Sequence, residues 1–383
     1  MRKVRYGMTE KEIAELRRRF KADKSNISHV RGCYVNENRE IISEFDQSLT
    51  LSRQEETEKI LTVLRKTLSG TPQKNLLDIE FDTRQVAEGE EHHLLMALRD
   101  SRLEDTGAVR ALFEKIIQSA PVEGNYLILL ACDAYDVPYR GGDGMRQEDA
   151  SDQVFTYVLC SICPVKLTKD ALSFYVNENR FCAVPADWVV APPEAGFLFP
   201  AFDDRATNLY GALYYTKNST EIHPELVEAL FRQTAPMAAD TQKETFQSVL
   251  AGALEDACDY HVVQAVHDQL CGMVQANKEN KDEAPLTVSK STVERVLQDQ
   301  GVPQERVEEF SREFDRQFGE EAELSPRNIV SAGQTELKTP DVRIQVNPER
   351  GDLVETRIID GARYILIRAE ESVEVNGVPI CIR

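Results

Sequence analysis

No stretch of this chain comes near the ~18 consecutive apolar residues that a membrane-spanning helix needs. A transmembrane class is therefore not expected. The opening segment, "MRKVRYGMTEKEIAELRRRF", carries charge but no apolar core, so no secretory signal is read there and a cytoplasmic location is expected. The eight cysteines are scattered and show none of the spacing of a disulfide framework, which suits reduced thiols. The high-specificity catalytic and nucleotide motifs are also missing. There is no GxSxG, HExxH or GxGxxG, and "RGGDG" lacks the Lys-Ser/Thr that would follow in a phosphate-binding loop.

What the chain does have is acid. Its 383 residues carry a net charge of −20, and 42% of them are hydrophobic, the balance of a folded protein with ample core. Such a surface repels phosphate backbones. Residues 1–24 run the other way, with nine Lys/Arg against four acids. Arg17, Arg18, Arg19 and Lys21 are accordingly candidates for a protein partner or for nucleic acid, against the plainer reading of a solvated helix face.

Thr9 and Glu12 have capping-box spacing, and Ile13, Leu16 and Phe20 then fall on one stripe, which predicts an N-terminal helix. "ISHVRGCYVNENREIISEF" reads as two strands joined over Asn36-Glu37-Asn38. "EETEKILTVLRKTLSG" is an amphipathic helix ended by Gly70, and a helix pair is expected over 88–119. "NYLILLACDAYDVPY" has an apolar run without alternation and predicts a buried strand, with "RGGDGMRQEDASD" as the loop after it. A second β-rich stretch follows. Helices are expected again at His223-Pro224, at a capping box on Thr241 and Glu244, and at another on Ser291 and Glu294. The chain should end in a β-meander with turns at Asp360-Gly361 and Asn376-Gly377. The fold class is α+β: a mixed sheet core with hairpins and flanking helices. The expected domains are a core over 1–274 with its basic N-terminal helix, a polar linker over 275–285, and a helical hairpin plus meander over 286–383.

Two groups of residues offer chemistry. Cys160 and Cys163 form a CxxC, but within a β-forming run residues three apart face opposite sides, which favours two packed thiols over a chelate. His92 and His93 are adjacent and diverge on a helix, and the same-face pairs Cys258/His261 and His267/Cys271 lie on different sides of theirs, so the histidines read as structural. Acids are the better candidates. Asp133 and Asp136 end the predicted buried strand, Glu148, Asp149 and Asp152 follow across the loop, and Asp203 and Asp204 end another strand. Converging, they would hold Mg²⁺ or act as general acid and base in a metal-assisted hydrolase. Otherwise they cap helices and solvate loops. With no catalytic motif to anchor it, the leading expectation is a non-enzymatic binding or scaffold protein that self-associates.

"YVNENR" occurs at Tyr34–Arg39 and again at Tyr175–Arg180. In the hexapeptide's register the flanks share only Asp46 and Asp187, so the repeat reads as one hairpin solution used twice, without a duplicated domain, and is expected to mark two β regions of the core.

Several segments, "EIAELRRRFK", "LLMALRDSRL", "CSICPVKL", "GFLFPAFDDR" and "TPDVRIQVNPERGDLVETRIIDG" among them, resemble over nearly the whole chain a bacterial family described only as a domain of unknown function (number 4317). That resemblance implies a bacterial cytoplasmic protein and brings no catalytic residue or cofactor. The order of elements, ending on a "VNGVP"-like turn, is similar in layout to bacterial nucleoid-associated proteins, which implies a nucleic-acid alternative.

Overall fold

The computed structural model describes residues 7–140, 146–280, 286–331, 335–369, 373–375 and 378–380, with side chains left out over 139–152 and at a few further positions near the C-terminal end. The chain divides after Ala239 into two compact units.

The first unit opens with α1 (Glu10–Arg17), whose N-cap Thr9 and Glu12 form the expected capping box. Strands β1 (His29–Val35) and β2 (Ile41–Ser48) follow, then α2 (Gln54–Lys66) and β3 (Leu76–Glu80). Three helices come next: α3 (Thr83–Glu88), α4 (Glu90–Asp100) and α5 (Thr106–Ser119). The long strands β4 (Tyr126–Arg140) and β5 (Arg146–Leu167) pair with each other, so most of the predicted loop between them is strand. After β6 (Ala171–Tyr175), β7 (Arg180–Val184) and β8 (Trp188–Val190), the chain returns as β9 (Ala195–Phe199), β10 (Ala201–Asp203), β11 (Ala206–Asn208) and β12 (Gly211–Thr216), and closes with α6 (Pro224–Phe231).

Strands of this unit form one sheet in the order β2-β1-β4-β5-β9-β12-β3, with β8 added at the end of β5. Its pairings are antiparallel throughout, where a mixed sheet was expected. None of its neighbouring strands is joined by a βαβ crossover, which is what parallel pairing needs. Helices cover both faces. Leu95 and Leu98 of α4, Leu112 and Phe113 of α5, and Leu226 of α6 pack on one face with Ile128, Cys160 and Phe197. Ile13 and Leu16 of α1 and Leu61 and Leu64 of α2 pack on the other with Leu129, Tyr157 and Cys163. This double cover explains why β9 and β12 are buried at every residue although antiparallel strands usually alternate.

The second unit holds α7 (Ala239–Leu254), α8 (Tyr260–Asn280), β13 (Val288–Ser289), α9 (Lys290–Asp299), α10 (Gln304–Phe318), β14 (Glu323–Leu324) and α11 (Pro326–Ile329). Its core joins Phe246 and Leu250 of α7, Val266 and Leu270 of α8, Leu297 of α9 and Phe310 and Phe314 of α10. Two expectations change here. The polar stretch 275–285 is helical through Asn280, because a nucleated helix propagates at little cost and Gln275 bonds Glu279 one turn on at 2.7 Å. The compact units divide at Ala239, ahead of α8, because Val262, Val266 and Leu270 on that helix belong to the second core. The two capping boxes expected here are not where the sequence placed them, and the N-cap of α9 has no side-chain cap bond. Thr241 and Ser291 lie inside α7 and α9, and Ser289 occupies the N-cap of α9.

The chain ends as β15 (Thr335–Lys338), β16 (Arg343–Val346), β17 (Val354–Ile359), β18 (Ala362–Ile367), β19 (Val373–Val375) and β20 (Val378–Ile380). These pair two by two as three hairpins, so the meander is realised without a continuous sheet. Asp360 and Gly361 have φ of +50° and +79° between paired Ile359 and Ala362, the left-handed pair a tight two-residue hairpin needs. Asn376-Gly377 lies outside the described residues.

Candidate functional site

Of the basic N-terminal candidates, two are spent inside the molecule. Arg17 donates to the carbonyls of Leu68 and, at 3.0 Å, Gly70, tying α1 to the end of α2. Arg19 reaches Asp133 with Nε 3.2 Å from Oδ2 and Nη2 3.3 Å from Oδ1, and its guanidinium lies 5.0 Å from the Tyr135 ring centre. Arg18 and Lys21 are exposed. The triplet thus splits between body and solvent: α1 ends at Arg17, Arg18 is its C-cap, and the turn that follows carries Arg19 back onto β4.

Asp133 is the hub of a buried polar cluster. It is 1% exposed and also accepts from Tyr157 Oη at 3.0 Å and from the Asn26 amide at 3.2 Å. Burial, and next the Asp133 charge, push the Tyr157 hydroxyl well above its ordinary range, so it remains a donor. A second cluster lies on the same face of the sheet. Glu15 accepts from Tyr135 Oη at 2.6 Å and from Arg205 Nη2 at 3.0 Å, while the Arg205 amide donates to Glu12 at 3.0 Å. Arg205 also donates to the Pro138 carbonyl at 3.0 Å. Together these bonds staple α1 to β4, β5 and the β10–β11 hairpin. Removing one partner of such a pair strands a charge, at about 3–5 kcal/mol, which is why clusters of this kind hold an element in place.

The two acidic candidates on β4 differ in placement. Asp133 points under α1, whereas Asp136, three residues on, is exposed, as alternation along β4 dictates. The side chains of Asp149 and Asp152 lie outside the described residues, as does that of Glu148. Asp203 and Asp204 sit at the β10–β11 turn, where Asp204 and Arg205 have φ of +51° and +56°. Among the described residues, no group of three or more His, Cys, Asp or Glu is placed to hold a metal ion. Cys160 and Cys163 are both buried, one in each core layer, as strand alternation predicted. Burial raises both thiols, Cys163 to about 12. His92 is buried between Phe81 and Phe199, with Nε2 2.8 Å from the Leu209 carbonyl, and belongs to the core.

One acid was not singled out by the sequence. Asp78 is half-buried on β3 and accepts from the Met8 amide at 3.0 Å, with Gly7 so close that a Cβ there would lie 1.9 Å from Oδ2. Burial, with Glu80, Asp203 and Glu12 near, pushes its carboxyl up to about 7. It borders a cavity of about 20 Å³, enough for one water and no ligand.

The outstanding surface feature is the β6–β7 hairpin with β8. Neither hairpin strand has a buried residue. Leu172, Phe174, Val176, Phe181, Trp188 and Val189 are between 47% and 79% exposed. Phe174 and Phe181 face each other across the hairpin at 5.1 Å. Its base is pinned by Thr168 and Asp187, whose backbones bond at 2.8 Å, and by Asp170, which accepts from the Ala186 amide at 2.6 Å. A lone two-stranded hairpin is marginal in water, so this arm presents apolar surface and two open strand edges with little support of its own. The sequence places this hairpin in the core, because "ALSFYVNENRFCAV" has the composition of a core strand; the structure leaves both its strands without a buried residue.

Taken together, these features define an α+β protein with a helix-covered antiparallel sheet, an apolar surface arm and a separate helical unit. The chain belongs to the family described as Domain of unknown function (DUF4317), whose model matches residues 8–378. No curated protein matches it. Among the described residues, no helix is long and apolar enough to cross a membrane.

Proposed function

We propose that this protein acts by binding, and that it self-associates through the β6–β7 arm together with β8. The exposed apolar arm carries this reading. Its six most prominent side chains offer on the order of 700 Å² of surface, close to the ~800 Å² that each partner gives to a standard interface. Charge argues that the occupant is a second copy. Over residues 166–190 three cations (Lys166, Lys169 and Arg180) balance three acids (Asp170, Glu178 and Asp187), in a chain of net charge −20. Two copies meet there with less repulsion than an acidic surface would impose, and an isologous contact closes after one pairing.

The chain's single tryptophan, Trp188, lies in the arm and reports the test directly. Raising the protein concentration should shift its emission to the blue while light scattering reports a dimer. Phe181→Ser should abolish both changes and leave thermal melting intact. A wild-type monomer at high concentration, or a Phe181→Ser dimer as tight as wild type, would refute the reading.

A further inference from the structure

Behind β4, on the face opposite Asp133, lies a cleft of about 520 Å³. Cys132 and Ala134 line it from β4, Arg31 from β1, Asp46 from β2, and Arg102 and Glu104 from the turn between α4 and α5. The turn is shaped by two consecutive left-handed residues, Arg102 and Leu103, with φ of +49° and +67°. Such backbone is costly for side chains other than glycine and is held here by Leu103, buried in the core below. Arg31 is fixed by donating to the Leu103 carbonyl. Its Nε lies 3.9 Å from Asp46, its cross-strand neighbour, a loose and half-exposed pair that is cheap to open. Among the described residues, neither Arg102 nor Glu104 makes an ion pair or hydrogen bond through its side chain.

The cleft thus presents two arginines and two carboxylates, with His29 of β1 beside them, to a polar space of ligand size. Burial raises the Cys132 thiol to about 11, which leaves it protonated and unsuited to nucleophilic work, so the cleft is equipped to bind. A ligand with one charge would satisfy one pair and face the other. We propose that the cleft binds a small zwitterion, an α-amino acid or a short peptide with free ends, its carboxylate on Arg102 and Arg31 and its ammonium on Glu104 and Asp46.

Calorimetry and thermal melts of the full chain test this with alanine and dialanine, against propionate, ethylamine and inorganic phosphate. One or both zwitterions should bind and raise the melting temperature, and which one binds separates free amino acid from peptide. The singly charged compounds should bind at least about tenfold more weakly. Arg102→Gln and Glu104→Gln, at exposed turn positions, should each weaken zwitterion binding by about tenfold without lowering the melting temperature of the free protein. Phe181→Ser should bind as wild type does, which keeps this test separate from self-association. Propionate or phosphate binding as tightly as alanine, or no zwitterion binding at millimolar concentration, would overturn the proposal.

Discussion

The same six residues, Tyr-Val-Asn-Glu-Asn-Arg, build two hairpins with opposite fates. In the first, Val35 is fully buried in the core that α4, α5 and α6 share with the sheet, and β1 lies inside the main sheet between β2 and β4. In the second, the matching Val176 is 79% exposed and the hairpin stands apart. Even the turns differ. Val35 pairs with Ile41 across a loop whose left-handed residue is Arg39, the hexapeptide's last. Tyr175 pairs with Arg180, and the left-handed residue is Asn179, the one before it. In the first turn Asn36 Oδ1 accepts from the amides of Asn38 and Glu40 at 3.0 and 2.9 Å, and no such bond forms at Asn177. Local sequence specifies a reversal; the partners on either side select its register.

The largest expected break in this comparison comes from a charge at the two valines. Val35→Asp should remove most of the folded protein, since an unpaired carboxylate would sit in the core, while Val176→Asp should stay within about 0.5 kcal/mol. Denaturant melts of the two variants check it; equal losses would mean that the arm is buried too.

A smaller effect sharpens what burial costs within the body. Asp133 has Arg19, whereas the ionised Asp78 faces only the Met8 amide and other acids. With its carboxyl at about 7 in the fold and near 3.8 when unfolded, Asp78 keeps a proton in the folded state that the unfolded chain has released. Its contribution to stability therefore falls as pH rises from about 4 to about 7 and stays low above that. Asp78→Asn keeps an acceptor for the Met8 amide. It should match wild type near pH 4 and exceed it at pH 8, by a few kcal/mol at most. Melts across that range would show a constant difference if the carboxyl were not the cause.

The smallest expected difference returns to the turns. Asn36→Ala should cost about 1 kcal/mol through its two lost amide bonds, and Asn177→Ala close to nothing. Equal costs in urea titrations would show that the two turns are alike after all.

Much of the fold was legible. The capping box at Thr9 and Glu12, the helix before Gly70, the unalternating strand around Leu127–Ala131 and the Asp360-Gly361 turn all follow from spacing along the chain. The opposite placement of Cys160 and Cys163 needed nothing beyond the two-residue period of a strand. The candidate sites were legible only as residue types. Arg19 and Asp133 were both singled out, but as partner-binding and metal-binding groups, and they are paired with each other across more than a hundred residues. The sequence reading passed over Glu15 with Arg205, and Arg31 with Arg102, because their meeting depends on how α1 and the α4–α5 turn lie on the sheet.

By itself, then, the sequence determined the α+β class, the main helices and strands, and the strongly acidic balance, since these rest on interactions between near neighbours and on composition. Only the tertiary structure decided that two of the three arginines are consumed by the body, that Asp133 is buried on Arg19 while Asp136 is exposed, and that one copy of "YVNENR" is core and the other arm. Side chains far apart in the chain are brought together or left in water by packing, and no local period records which.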